Sequence, residues 1–263
     1  PCEALICAIV EAEDMPVTAA QGGLSGSNHL LRGVGSVAAI DPSILSLVKL
    51  GQGDVLFEKG EELDRVYFPH TLVASMLVVA GNGDSVDVGT VGCEGLLGPY
   101  VPNSRHTSIT RQIVQVAGTA TVVTRDDWFH LLASEPDVHA VVGTYRDAFM
   151  TQVIQSVACN ALHTSEERFA RWLLMMDDRA PGEEIALTHE VIGKMLGVRR
   201  PTVTLIAGAF QRAGFIATTR GRIQTADRLG LKSVTCECYG IIKASYDALL
   251  EAGPPVESQA PSP

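Results

Sequence analysis

The stretch from Leu187 to Gly214, LTHEVIGKMLGVRRPTVTLIAGAFQRAG, holds the residues with the clearest chemical purpose. Thr188 suits an N-cap, since a hydroxyl there accepts from a free backbone N–H one turn on. Val191, Ile192, Met195 and Leu196 then form the inner face of a short helix, and Gly197 supplies the left-handed residue that ends it. Pro201 fits the first position of a second helix, lined inside by Val203, Ile206, Ala207 and Phe210 and stopped at Gly214. Two helices across a tight glycine turn make a helix-turn-helix. Arg199 and Arg200 fall at the front of the second helix, where unpaired N–H groups favour phosphate. A guanidinium there can also hold O6 and N7 of guanine with two parallel bonds.

Beyond it, FIATTRGRIQ reads as a small hairpin, Ile216 and Ile223 flanking a basic tip of Arg220, Gly221 and Arg222. Such a tip can lie along a phosphate backbone and add salt-sensitive affinity; the plainer alternative is a structural hairpin with solvated arginines. Thr188, His189, Arg199, Arg200, Thr202, Thr204, Arg220 and Arg222 are the expected DNA-contacting residues.

Charge supports a polyanion partner locally. The 263 residues carry a net charge of −10, yet residues 185–232 hold eight Lys/Arg against Glu190 and Asp227. Residues 1–160 hold eight against eighteen acids. A basic stretch in an acidic chain points to nucleic acid, with double-stranded DNA the expected partner. No apolar run reaches the roughly 20 residues of a membrane span, and ALICAIV, preceded by Glu3, lacks a basic flank. The sequence opens on Pro1 rather than Met, and a cytoplasmic location is expected.

Other elements must position this unit. Residues 1–26 read as a flexible leader. From about 40 to 125 the texture is strand-like: DVLFEKG, RVYFPHTLVASMLVVA, SVDVGTV and RQIVQVAGTATVV are short and β-branched, and GNGD at 81–84 marks a hairpin. Close strands without long helices predict an antiparallel roll over 27–135. Val138, Val142, Tyr145, Phe149, Val153 and Val157 then stripe a long helix over 136–160, which suits packing on the roll, pairing with a second copy, or both; the stripe's length favours pairing. Thr164 and Glu167 form a capping box for a further helix with Phe169, Trp172, Leu173 and Met176 inside. A winged helix-turn-helix domain over 161–245 and a disordered tail over 246–263 complete an α+β chain.

With these pieces in order, the sequence resembles the Crp–Fnr family of bacterial transcription regulators. The resemblance covers about residues 45–243 and rests on LTHEVIGKMLGVRRPTV…QRAGFI…RGRI, with CNALHTSEERFARWLL and VYFPHTLVASMLVVAGNGDSVDVGTVGCEGLLG before it. It implies a cyclic-nucleotide-binding-like β-roll (jelly roll), a dimerising helix, a winged helix-turn-helix, a homodimer, and RNA polymerase as a further partner of an activator. It places the guanine-reading arginine on Arg200 and phosphate contacts on Arg199 and Thr202. The family's acidic reader and second arginine fall on Pro201 and Leu205, which alters the expected operator.

For an effector, the resemblance points to Glu94, Gly95, Arg111 and Gln112. The Gly-Glu order is altered and Gln112 replaces a hydroxyl after the arginine, so cyclic AMP is the weaker expectation and the signal stays unidentified. The six cysteines, at 2, 7, 93, 159, 236 and 238, read as ordinary reduced thiols. They lack both the C-x-x-C pairs of a zinc site and the clustered set of an iron–sulfur centre, so no metal is expected. His70 and His163 read as structural. Two other classes remain. A metal-dependent enzyme on the roll needs a His-x-His or His-x-Glu set, whereas His29, His70 and His106 stand apart and His189-Glu190 are adjacent. A module contacting protein rather than DNA conflicts with the local positive charge.

Overall fold

A computed structural model describes residues 28–100, 107–219 and 221–251. The leader expected over 1–26, Cys2, Cys7, His106, Arg220 and the last part of the expected tail lie outside the described residues.

The β-branched segments form two antiparallel sheets. One is ordered β1 (Ser46–Leu50), β7 (Gly118–Thr124), β3 (Arg65–Pro69); the other β2 (Val55–Phe57), β6 (Arg111–Val116), β4 (Val73–Val79), β5 (Ser85–Val91). The chain passes from β6 to β7 at Gly118, where a Cβ would sit 2.4 Å from the Leu72 nitrogen, so only glycine fits that corner. The expected hairpin joins β4 to β5, with Gly83 at φ +86° and the Asn82 side chain accepting from Asp84 N. Phe57, Phe68, Leu72, Val91, Leu97, Val114 and Ala120 meet between the sheets.

Two helices outside the sequence reading close this roll. In α1 (His29–Val37), Leu30, Leu31 and Val34 are buried, and Gly33 faces Val141 of the long helix. Asn28 caps it through Leu31 N and reaches the carbonyls of Pro69 and Gly95, both at 2.8 Å. In α2 (Arg125–Ser134), capped by Thr124, Trp128 plugs the roll edge-on to Phe68.

The long helix is α3, Pro136–Leu162, about 40 Å of continuous helix. Its buried face departs from the expected stripe. Val138, Val142, Tyr145 and Phe149 are buried as read, but the covered side continues through Gln152, Ser156 and Cys159, and Val157 is 65% exposed. Gln152 donates to the Thr90 carbonyl, so a polar residue is the better occupant there.

Next, α4 (Ser165–Arg179) starts in the predicted capping box, Thr164 and Glu167 satisfying each other's orphan N–H groups. Phe169 to Met176 are all buried. The helix-turn-helix follows as α5 (His189–Leu196) and α6 (Arg200–Arg212), then the hairpin β8 (Ile216–Thr219) and β9 (Arg222–Thr225), then α7 (Arg228–Val234) and α8 (Cys238–Glu251). Residues 246–251, expected in a disordered tail, are helical; Tyr246 is buried against Arg179, 5.2 Å from guanidinium carbon to ring centroid. Among the described residues no helix is long and apolar enough to cross a membrane.

Candidate nucleic-acid interface

The local chemistry of the reading unit follows the sequence closely. Thr188 caps α5 by accepting from Val191 N at 3.2 Å. Gly197 takes the left-handed conformation, φ +64° and ψ +35°, and ends the helix. A second glycine is equally strict: a Cβ on Gly193 would stand 2.7 Å from the Val198 carbonyl, so the turn closes over a bare helix surface. The second helix starts one residue before the expected place, with Arg199 as N-cap and Pro201 inside the first turn, where its missing N–H leaves no bond unmade. Val203, Ala207 and Phe210 are buried as expected, Ile206 is half-buried, and Val191 of α5 is exposed.

Arg199 and Arg200 are exposed, and among the described residues no ion pair engages either. Arg199 offers no side-chain cap to the helix; Thr202 N and Val203 N donate to its carbonyl, and the two guanidinium groups stand beside the Arg200 N–H at the front of α6. An open groove of about 510 Å³ runs from there to the hairpin, lined by Thr188, His189, Glu190, Arg200, Thr218, Gly221, Arg222 and Ile223. Four of the expected DNA-contacting residues share that groove. Thr202 lies half-buried in the first turn. Thr204 donates to the Arg200 carbonyl and meets His189 Nδ1 at 3.0 Å, fixing the second helix against the start of the first.

The positive charge is smaller than a residue count implies. Arg228 is held by Asp177 at 2.5 Å, by Asp178 and by the Tyr239 hydroxyl, so its charge is met within the protein. Arg222 pairs with Glu184 at 3.1 Å and Lys194 with Glu190 at 3.6 Å, both on the surface, where such pairs are weak and exchange readily for phosphate. The hairpin forms as predicted, Ile216 and Ile223 buried and Gly221 at φ +81° in its turn.

The four expected effector residues have these settings in the fold. Glu94 is buried and pairs with Arg179 of α4 at 2.8 Å, while also accepting from Gly92 N. Gly95 is pressed on Tyr145 of α3: a Cβ there would fall 2.2 Å from the ring. Arg111 pairs with Glu58, just past the end of β2, at 3.2 Å, and Gln112 is buried in β6. The first two residues therefore join the roll to the helices, and the last two belong to the sheet.

Three of the cysteines, scattered in the sequence, are brought together by the fold as free thiols. Cys159 near the end of α3, His163 at its C-cap, Cys236 before α8 and Cys238 at its start converge, with their ligand atoms all within 4.8 Å of one another. Sequence separation hid this, but one signal was available: Cys159 and His163 are spaced i, i+4, on one helix face, and Cys236-x-Cys238 is a second short pair.

Comparison with known proteins follows the geometry. Residues 167–234 match the family model of the Crp-like helix-turn-helix domain. No curated protein matches the sequence significantly. Solved structures do. FixK2 from Bradyrhizobium japonicum is 16% identical, with a TM-score of 0.62 over 73% of this chain and 98% of that one. A CRP/FNR family transcriptional regulator from Thermus thermophilus, TTHA1359, is 19% identical, with a TM-score of 0.57 over 72% and 97%. The c-di-GMP-responsive global regulator CLP of Xanthomonas campestris is 11% identical, with a TM-score of 0.55 over 70% and 94%. The chain thus carries a Crp-like helix-turn-helix domain over residues 167–234 and shares its overall fold with these solved proteins.

Proposed function

We propose that the protein is a homodimeric, sequence-specific DNA-binding regulator in the cytoplasm, whose roll responds to a signal and shifts the reading helices. One observation carries the DNA reading: Arg199 and Arg200 are exposed at the N-terminus of α6, in no ion pair among the described residues, beside a groove that continues to the hairpin. Arg200 reads guanine in the major groove; Arg199, Thr202, Arg222 and Arg220 hold phosphates, with Thr188, His189 and Thr204 along the same edge. RNA polymerase is the further partner where the protein activates.

The outer side of α3 supports the dimer. Met150, Ile154, Val157 and Ala161, spaced by four, three and four residues, are exposed in one strip, with Ile154 57% exposed. Such a strip on a regulator's central helix suits pairing with the same strip of a second copy, which would set two reading helices about 34 Å apart for successive major grooves. Signal transfer has a short route, because β5 of the roll packs on α5 and α4. A ligand needs only to bind one arrangement of that contact better than another.

The test is a fluorescence-anisotropy titration of DNA from upstream of the protein's own gene, over a range of salt. Wild type should discriminate between that DNA and scrambled sequence, and Arg200→Ala should lose the discrimination. Equal, sequence-indifferent binding by both proteins refutes the reading.

A further inference from the structure

The four converging side chains at the junction of α3 and α8 have the donor set, spacing and support of a metal centre. We propose that Cys159, His163, Cys236 and Cys238 bind one zinc ion in a tetrahedral Cys3His site, pinning the C-terminal helix to the end of the long helix.

Distances fit a single ion. With Zn–S near 2.3 Å and Zn–N near 2.0 Å, tetrahedral ligands stand about 3.6–3.8 Å apart. Cys159 Sγ lies 3.5 Å from Cys236 Sγ, and Cys238 Sγ lies 3.6 Å from His163 Nδ1. All four atoms fall within 4.8 Å of one another, a span that encloses one ion.

The surroundings prepare the ligands. His163 Nε2 faces Glu237 Oε1 at 3.3 Å, so that nitrogen carries the proton and Nδ1 turns its lone pair toward the sulfurs. A carboxylate on the far nitrogen of a histidine is the usual support of a zinc ligand. Three thiolates, a neutral imidazole and Zn²⁺ sum to one negative charge. Arg171, buried in α4, puts a positive charge near Cys159 and Cys238 and also near the buried Asp87 carboxyl; its Nη1 meets the Ser156 hydroxyl and the Met175 sulfur, at 3.5 and 3.3 Å. A buried guanidinium in no ion pair among the described residues offsets part of that negative charge. Three sulfurs and one nitrogen favour zinc over magnesium or calcium, which take oxygen ligands. Binding displaces the thiol protons, and four protein ligands leave no open position, so the site is structural and not hydrolytic.

The site also has a purpose in the fold. It closes a loop from residue 159 to residue 238 and fixes α8 across the base of α3, outside the helix-turn-helix itself. Zinc there holds the reading domain on the helix that carries the expected dimer strip.

The experiment is elemental analysis of the full chain, expressed in zinc-supplemented medium and passed through a chelator-equilibrated sizing column. About one zinc per chain is expected, falling at least tenfold in Cys159→Ser and Cys238→Ser and unchanged in Cys93→Ser. Since the serine variants can misfold, wild type grown with cobalt gives a second readout. Tetrahedral thiolate ligation should produce intense visible ligand-field bands and a sulfur-to-cobalt charge-transfer band. A chain that carries iron in place of zinc overturns the proposal. So does a metal-free chain with freely reactive thiols, a Cys159–Cys236 disulfide, or a cobalt spectrum without thiolate bands.

Discussion

The ion pair between Glu94 and Arg179 is a buried contact between the roll and the helices, and its removal has a calculable effect. The two side chains are 8% and 6% exposed and meet at 2.8 Å. Arg179 also donates to the Met175 carbonyl at 3.0 Å and to Gln152 Oε1 at 3.1 Å, beneath the Tyr246 ring. In Arg179→Met the Glu94 carboxylate stays buried and loses its cation, while the Gly92 N–H still donates to it. Breaking a buried pair by removing one partner costs about 3–5 kcal/mol. For a chain of this size each kcal/mol moves Tm by about 2–4 °C, so the midpoint should fall by about 6–20 °C. Glu94→Gln is milder, about 1–3 kcal/mol, because Gln152, Met175 and Tyr246 still hold the guanidinium. The double variant Arg179→Met/Glu94→Gln no longer buries an unpaired charge and should be less damaged than the two losses added, by more than about 1 kcal/mol. Calorimetry and urea unfolding of the four proteins measure this. Additive losses, or an Arg179→Met shift smaller than that of Glu94→Gln, would show that the pair is not the joint described.

Further outcomes can be measured alongside. Arg200→Ala should weaken binding to the cognate DNA by about 1–3 kcal/mol, roughly 5- to 150-fold, whereas Arg199→Ala should weaken all sequences alike and lower the slope of log K against log salt by about one; anisotropy titrations separate the two. Ile154→Asp, placing a charge in the exposed strip of α3, should convert dimer to monomer in sedimentation while costing the fold no more than about 1 kcal/mol; an unchanged dimer excludes that strip as the interface. Gly95→Ala must move the Tyr145 ring, which a Cβ would approach to 2.2 Å, and should cost about 1–3 kcal/mol or more in urea unfolding. Burial raises the Asp87 carboxyl above its ordinary value, so the folded chain binds more protons than the unfolded one from about pH 4 upward, and stability falls as pH rises through that window. Asp87→Asn should remove this fall, and urea midpoints that stay parallel with wild type across about pH 4–8 would contradict it.

What the sequence made legible was local. The capping box at Thr164, the left-handed Gly197 and the hairpin around Gly221 each act within a few residues and appear where read, and Pro201 falls one position later in the first turn than read. The long helix was legible in extent, but its buried side was not. Hydrophobicity marks both sides of α3 beyond Phe149, and the covered positions Gln152 and Ser156 are polar because they bond to Thr90 and Arg171. Distance in sequence hid the rest. No local pattern shows that Glu94, a candidate effector ligand by sequence, pairs with Arg179, 85 residues on. Cys159 reads as a lone thiol until α8 brings Cys236 and Cys238 across. The acidic partners of Arg228, 51 and 50 residues before it, likewise turned an expected free cation into a paired one.

Helix α4 has a consequence for how this molecule can be handled and altered. Eight consecutive residues, Phe169 to Met176, are shielded on every side, so over two turns the helix presents no face to water. Excising the reading domain at the end of α3 would strip one wall from that helix and expose Trp172, Met175 and their neighbours to aggregation. The two halves of this chain are therefore not modules to be swapped by cutting at the obvious seam. Any chimera that keeps the reading domain soluble has to carry the matching part of β5 and α3 with it.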